Sequence, residues 1–209
     1  MPIEMTDEDR EFYRWYGPWK PLKPNGVKRL MRGSGIRWWI VGGWAIEAFA
    51  GVPREHEDID VSFFRDDLGR LIEYFGPSHC IWSNRAGTIR PVKKPDDVLE
   101  GAHQMWVRRD GASPWIMDLL MNVHDKDTWI SIRDETVRLP IDEATFTKSG
   151  ISYLRPEIVM WMKARFDRPK DDADLAQILP KLEPAKRAWL RDRVQSQHPD
   201  HRWLKLMAE

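Results

Sequence analysis

The chain has 209 residues, enough for one sizeable hydrophobic core with a smaller appended lobe but short for two full-size domains. Its 33 Lys and Arg residues balance 33 Asp and Glu residues, so it lacks the positive excess typical of proteins that bind duplex nucleic acid. A single cysteine, Cys80, excludes an intrachain disulfide and a cysteine-rich metal centre.

The N-terminal stretch is acidic and lacks the basic and apolar regions of a signal peptide, and Glu47 interrupts the longest apolar run. We therefore expect a cytoplasmic protein that has no membrane partner. A first helix is predicted to end at Gly17, and Asn25 can cap a second, short helix. The bulky run at residues 37–41 then predicts a strand that stops at a pair of glycines.

Residues 44–49 predict a helix, closed by Gly51. Beyond it, polar and apolar residues alternate over residues 58–63, which predicts a strand with Asp58 and Asp60 on the same face. A helix over residues 66–75 is expected to cover the sheet.

Two hairpins are predicted around the turn sequences "DGAS" and "RDET". From Pro156 onward the apolar spacing becomes helical. These elements predict an α+β fold, with a mixed αβ lobe and N-terminal helices over residues 1–150 and a helical lobe over residues 151–209.

The sequence "DID" places Asp58 and Asp60 about 6.6 Å apart at the backbone, given a rise of about 3.3 Å per residue along a strand. Their oxygens can converge on common cations, and Mg²⁺ prefers carboxylate, water and phosphate oxygens. Phosphoryl-transfer enzymes use paired metal ions in this way. The alternative interpretation is an exposed strand face that carries two acids by chance.

Gly42 and Gly43 precede this strand by one short helix. Glycine lets the backbone approach a ligand closely, and the N-terminus of the following helix offers unpaired N–H groups to an anion such as a polyphosphate. A tight turn from strand to helix would also explain the two glycines. Their position in one strand-helix-strand unit with the two aspartates favours a phosphate site beside the metal ligands.

A third carboxylate, Asp118, lies among apolar residues in "PWIMDLLM". An unpaired buried carboxylate is costly, so this position predicts a metal, a partner or access to water. The functional interpretation is a third metal ligand that also helps to remove the proton of an attacking hydroxyl group. The alternative is a structural salt bridge.

These residues carry a family resemblance. The run "IVGGWAIEAFAGVPREHEDIDV" resembles the nucleotidyltransferase core of the DNA polymerase beta-like superfamily, whose motif is a hydrophobic residue, Gly-Gly or Gly-Ser, a spacer, then D-h-D or D-h-E. Within it, "GGWAIEA" and the later "DID" are similar to the aminoglycoside nucleotidyltransferase branch. The run "YLRPEIVMWMKARFDRPKDDADL" resembles a helical segment found in many bacterial members and in some nucleotidyltransferase toxins.

The resemblance implies that Gly42 and Gly43 bind the phosphates of a nucleotide, that Asp58 and Asp60 bind two Mg²⁺ ions, and that Asp118 completes the triad. It implies transfer of a nucleoside monophosphate from an NTP, with pyrophosphate as the leaving group. ATP is the expected donor, and AMP the group transferred. The spacer between Gly43 and Asp58 is slightly longer than in the commonest members of the superfamily, which is typical of the antibiotic-modifying branch.

Other residues are candidates for nucleotide contact. Arg54 and His56 precede the metal strand and could reach the triphosphate, or could belong to a solvated turn. Trp44 could stack on a base or frame the acceptor. Lys163 lies at the edge of an apolar helix stripe, so it must either extend toward solvent or meet an anion, for which we predict a phosphate. Three acids open the next helix, and its dipole is enough to explain them, with a catalytic role as the alternative: Asp171, Asp172 and Asp174.

The expected activity is nucleotidyl transfer to a hydroxyl group of a small molecule, which the resemblance suggests is aminoglycoside-like. The balanced charge makes a nucleic-acid partner less expected. Two alternatives stay open: a toxin-like enzyme that nucleotidylates RNA or protein, and a non-catalytic relative that binds nucleotide.

Overall fold

The computed structural model describes residues 7–166 and 168–207, which form two compact units. The first unit consists of residues 7–38 and 57–122. The second consists of residues 39–56 and the described part of residues 123–207. These units differ from the two predicted domains, which meet at residue 150. That domain boundary stays a prediction.

Helices and strands alternate irregularly along the chain. In chain order they are α1 (Asp7–Tyr16), α2 (Pro24–Leu30), β1 (Trp38–Ile40), α3 (Gly42–Ala50), β2 (Asp60–Phe64), α4 (Leu68–Phe75), β3 (Cys80–Arg85), β4 (Thr88–Val92), β5 (Gln104–Arg108), β6 (Trp115–Asp125), β7 (Thr128–Ile130), β8 (Arg138–Pro140), α5 (Ile141–Ala144), β9 (Thr145–Lys148), β10 (Ile151–Leu154), α6 (Pro156–Lys163), α7 (Pro169–Ile178), α8 (Pro184–Gln197) and α9 (Trp203–Leu206).

The first unit contains strands in the order β4, β3, β5, β6, β2. Strands β2 and β6 are parallel, whereas the other neighbours are antiparallel. Val61 and Phe63 of β2 are fully buried, which explains the alternation in its sequence. Helix α4 packs against β3 and buries Leu71 and Phe75. Because β2 and β6 are neighbours in the sheet, residues that are paired in their register lie next to each other.

The second unit combines short strands with a group of helices. Strand β1 pairs in parallel with β10, and β10 pairs antiparallel with β9. The last residues of β6 continue into an antiparallel meander with β7 and β8. Helix α3 contacts α6 and α7, and α6 also contacts α8. The apolar face of α6 is buried, with Ile158, Met160 and Trp161 in the core.

The predicted fold class is confirmed, since the structure is mixed α+β with both parallel and antiparallel strand pairs. The hairpins around "DGAS" and "RDET" form as predicted, between β5 and β6 and between β7 and β8. The strand predicted to begin at Asp58 begins at Asp60 instead, which leaves Asp58 in the preceding loop. Among the described residues, no helix is both long enough and apolar enough to cross a bilayer.

Candidate active site

Two of the three predicted aspartates, Asp60 and Asp118, lie side by side in the sheet of the first unit. Asp60 and Asp118 are direct partners in the parallel register of β2 and β6. The backbone N–H of Asp118 donates a hydrogen bond to the carbonyl oxygen of Ile59, at 3.0 Å, between the two aspartates of the "DID" motif. The strand pairing therefore brings the predicted third carboxylate beside Asp60, while Asp58 lies in the loop before the strand.

Asp118 is almost fully buried. Burial raises the pKa of its carboxyl group well above the ordinary value, and the nearby charges of Asp60 and Asp58 raise it further. A hydrogen bond from Gln104 to Oδ2 acts in the opposite direction. The carboxylate is therefore held in an environment that opposes its negative charge.

The other oxygen of Asp118, Oδ1, is buried and has no hydrogen-bond partner in the described part of the chain. A buried oxygen of this kind is costly unless a cation or a proton satisfies it. Together with Asp60 it forms an all-oxygen donor set, which fits Mg²⁺. Within residues 7–166 and 168–207, no three His, Cys, Asp or Glu side chains are already arranged around one ion position. The role of Asp58 as a further metal ligand therefore stays a prediction.

Gly42 and Gly43 form the first turn of α3 in the second unit. Gly42 has a φ of 64°, in the left-handed region that favours glycine. The helix begins two residues earlier than predicted, so both glycines belong to its N-terminal turn. Their N–H groups are among those that a helix leaves without an intrahelical partner.

The loop that follows α3 folds back onto this first turn. The backbone N–H of Arg54 donates to Glu47 Oε2 at 3.0 Å, and His56 Nε2 lies 2.8 Å from the same oxygen. The imidazole of His56 stacks on the indole of Trp44, with ring centroids 3.8 Å apart. Three predicted nucleotide-binding side chains of the second unit are thus brought together around the start of α3.

Lys163 does not extend toward solvent. It is buried, and its Nζ donates to Asp171 Oδ1 and to Asp174 Oδ2, each at 2.7 Å. The anion that it meets in the structure is therefore a pair of carboxylates from α7. These contacts do not test the predicted phosphate contact, but they engage two of the three ammonium donors.

The dipole explanation for the acids of α7 is incomplete. Asp171 and Asp174 are buried and paired, whereas only Asp172 lies at the surface, where it pairs with Arg202 at 2.7 Å. Arg168 adds a second ion pair to Asp171 at 2.7 Å. The network links α6 to α7 through charged groups in the interior of the second unit.

We expect Asp171 to make the stability of the protein depend on acidic pH. Burial acts to raise its pKa, but hydrogen bonds from Arg168 and Lys163 outweigh it and hold the pKa below the ordinary value of 3.8. In the pH range between the folded and unfolded pKa values the unfolded state binds more protons. This contribution is therefore complete above the unfolded pKa and is lost as pH falls through the folded one.

Urea unfolding of the wild-type protein and of Asp171→Asn, followed from pH 7 down to pH 3, tests this expectation. The difference in free energy of unfolding between the two proteins should shrink as the pH falls. A difference that stays constant over the whole range would contradict the assignment.

Three residues of this region were not predicted from the sequence as site residues: Gln104, Glu47 and Asp174. Each acts on a predicted residue through a side-chain contact. The only sequence signal among them is Glu47, a charge within an apolar helix. Gln104 had no sequence signal, and Asp174 was noted only as an acid at the start of a helix, so its contact with Arg54 was not predicted.

The comparisons with known proteins bear on this arrangement. Residues 25–95 match the family model for aminoglycoside-2''-adenylyltransferase. The matched segment contains the glycine pair and the "DID" motif and ends before Asp118. No curated protein sequence is significantly similar to the chain.

Several solved structures resemble the fold. The crystal structure of ANT(2'')-Ia in complex with adenylyl-2''-tobramycin gives a TM-score of 0.55 at 16% identity, over 82% of this chain and 94% of that chain. The solution structure of the antibiotic-resistance factor ANT(2'')-Ia gives 0.54 at 16% identity, over 83% and 89%. The lincosamide antibiotic adenylyltransferase LnuA with bound lincomycin gives 0.49 at 15% identity, over 73% and 91%.

Together, the family model and the first two structures confirm the predicted fold and the predicted resemblance to the aminoglycoside nucleotidyltransferase branch. The matched family is one of nucleotidyltransferase enzymes, in agreement with the predicted class of protein.

Proposed function

We propose that the protein transfers AMP from ATP to a hydroxyl group of a small, aminoglycoside-like molecule, with the help of Mg²⁺. The observation that carries the proposal is the buried, unpartnered Oδ1 of Asp118 beside Asp60. Its neighbour, the "DID" motif, lies in the segment that matches the aminoglycoside-2''-adenylyltransferase model. The tobramycin adduct in the ANT(2'')-Ia crystal structure supports a small-molecule acceptor.

In the proposed reaction the acceptor oxygen bonds to the α-phosphorus of ATP. The bond from that phosphorus to the oxygen that bridges to the β-phosphorus breaks, and pyrophosphate leaves with the bonding electrons. Asp58, Asp60 and Asp118 are the residues that would hold Mg²⁺, which when bound neutralises charge on the phosphates. To Asp118 we also assign assistance in removing the proton of the acceptor hydroxyl group.

The nucleotide contacts are proposed for Gly42, Gly43, Trp44, Arg54 and His56. The first two offer backbone N–H groups at the start of α3, and a positive dipole end faces any anion there. The Arg54 side chain is partly exposed and adds a positive charge. For Lys163, whose two observed partners are carboxylates, we propose a structural role instead.

The test is a transfer assay with ATP labelled at the α-phosphate. Purified protein and Mg²⁺ are incubated separately with a panel of aminoglycosides, with simple sugars and with total cellular RNA. We expect transfer of the α-phosphate label to at least one of the small molecules. Label on RNA with none on the small molecules would favour a toxin-like enzyme, and ATP binding without any transfer would favour a non-catalytic relative.

Gln104 is expected to matter for metal binding although it is not a ligand. Its amide donates to Oδ2 of Asp118 and so fixes the direction of Oδ1. The loss of such a supporting partner typically costs 10–100-fold in metal affinity or activity. We expect Gln104→Leu to raise the half-saturating Mg²⁺ concentration by about 10–100-fold.

The control for this substitution is Gln195→Leu, at an exposed position of α8. Both variants are compared by circular dichroism and by the Mg²⁺ dependence of transfer. Identical Mg²⁺ dependence in Gln104→Leu and the wild-type protein would show that Gln104 does not orient the carboxylate.

A further inference from the structure

The space beside Gly43 is filled by the side chain of Arg54. A Cβ atom placed on Gly43 would lie 1.9 Å from Nη2 of Arg54, 2.7 Å from its Cζ and 3.1 Å from Nδ1 of His56. Gly43 is not among the residues with positive φ, so its backbone conformation would accept any L-residue. A side chain at this position would therefore meet the guanidinium of Arg54, and one of the two would have to move.

Asp174 holds the other side of the same guanidinium group. Its Oδ1 forms an ion pair with Arg54 Nε at 3.1 Å, and its Oδ2 accepts from Nη2 at 3.4 Å. Arg54 Nη1 donates to the carbonyl oxygen of Glu55 at 2.8 Å. Asp174 is itself almost fully buried and is fixed by Lys163. The guanidinium is thus held from α7 and from its own loop, against the first turn of α3.

The proposed function gives this arrangement a consequence. The ion pair with Asp174 holds the guanidinium of Arg54 in the space beside Gly43. The positive charge of Arg54 lies at the start of α3 only while that ion pair is intact. A displaced Arg54 would also leave the buried carboxylate of Asp174 with one cationic partner fewer. The geometry of one basic side chain therefore depends on a residue 120 positions away in the sequence.

We propose that Asp174 is a positioning residue of the nucleotide-binding site, and that it acts through Arg54. The proposal rests on the proposed function, because that function gives Arg54 its nucleotide contact. It also assigns a second reason for glycine at this position of the motif: besides offering its backbone N–H, Gly43 leaves room for the guanidinium of Arg54.

A double-mutant cycle on stability tests the relation between Gly43 and Arg54 without any need for activity. The variants are Gly43→Ala, Arg54→Ala and the double variant, compared by the urea midpoint of unfolding. We expect Gly43→Ala to lower the midpoint in the wild-type background and to leave it unchanged or raise it in the Arg54→Ala background. Equal shifts in the two backgrounds would overturn the steric assignment.

Titration with ATP and Mg²⁺, in the absence of acceptor, tests the positioning role. We expect Asp174→Asn to raise the dissociation constant about tenfold or more, as expected when a charge-assisted contact is lost. The matched control is Asp171→Asn, which is also buried and also removes a partner of Lys163 but does not contact Arg54. Its effect on the dissociation constant should be clearly smaller.

An equal loss of affinity in the two variants would reduce Asp174 to a general structural role and so overturn the proposal, as would unchanged affinity in Asp174→Asn. A wild-type protein that bound no ATP would remove the proposed function and the positioning role together. The stability cycle would still report, in that case, whether Gly43 accommodates Arg54.

Discussion

Asp60→Asn and Asp58→Asn are each expected to lower the rate of nucleotidyl transfer by about 10²–10³-fold or more, the usual range for the loss of one strong electrostatic contact in a reaction of charged groups. The reason is the loss of a negative charge that the proposed Mg²⁺ ions require. Each substitution keeps the shape of the side chain. Asp60 is the direct register partner of the buried Asp118, so its loss should have the larger effect.

The control is Asp125→Asn, at the exposed end of β6, the strand that also carries Asp118. All variants are compared with the wild-type protein by circular dichroism and by transfer of α-labelled ATP. A folded Asp60→Asn protein that transfers at nearly the wild-type rate would show that the metal assignment is wrong.

Lys163→Met is expected to lower the free energy of unfolding by about 3–5 kcal/mol, the range seen when one partner of a buried ion pair is removed. The substitution would leave Asp171 with Arg168 alone and Asp174 with Arg54 alone. Both carboxylates are fully or almost fully buried, so water cannot replace the lost ammonium group without a change in packing.

Lys205→Met, at an exposed position of α9 in the same unit, is the matched control. Urea unfolding measures the free energy for both variants, and an ATP titration is run beside it. A Lys163→Met protein of wild-type stability but weakened ATP binding would contradict the structural role and favour the phosphate contact that the sequence predicted.

The sequence predicted most elements whose apolar spacing is regular, and missed two hairpins. In β4 only Val92 is buried and Pro91 interrupts the run, so the strand has no alternating pattern. The hairpin of β9 and β10 turns at Ser149 and Gly150, both with positive φ. That Ser-Gly pair is a turn signal that the sequence does contain.

Some features of the candidate site could likewise be predicted from the sequence, and others could not. The position of Asp118 beside Asp60 could be predicted because a charge in an apolar strand requires an explanation. The contact of Arg54 with Asp174 could not be predicted, since it joins residues 120 positions apart that no local pattern links. For Lys163 only half of the answer could be predicted. Its need for an anion was predictable, whereas the identity of that anion was not.

The proposed function assigns nucleotidyl transfer to the half-buried carboxylate of Asp60 in β2 and the buried carboxylate of Asp118 in β6. Parallel reactions with ATP labelled at the α-phosphate and ATP labelled at the γ-phosphate, in the presence of Mg²⁺ and an aminoglycoside panel, test it most directly. We expect α-label on an acceptor and γ-label in the released pyrophosphate, with both reactions slowed by about 10²–10³-fold or more in Asp60→Asn. Transfer of γ-label to the acceptor, or transfer of α-label by Asp60→Asn at nearly the wild-type rate, would contradict the assignment.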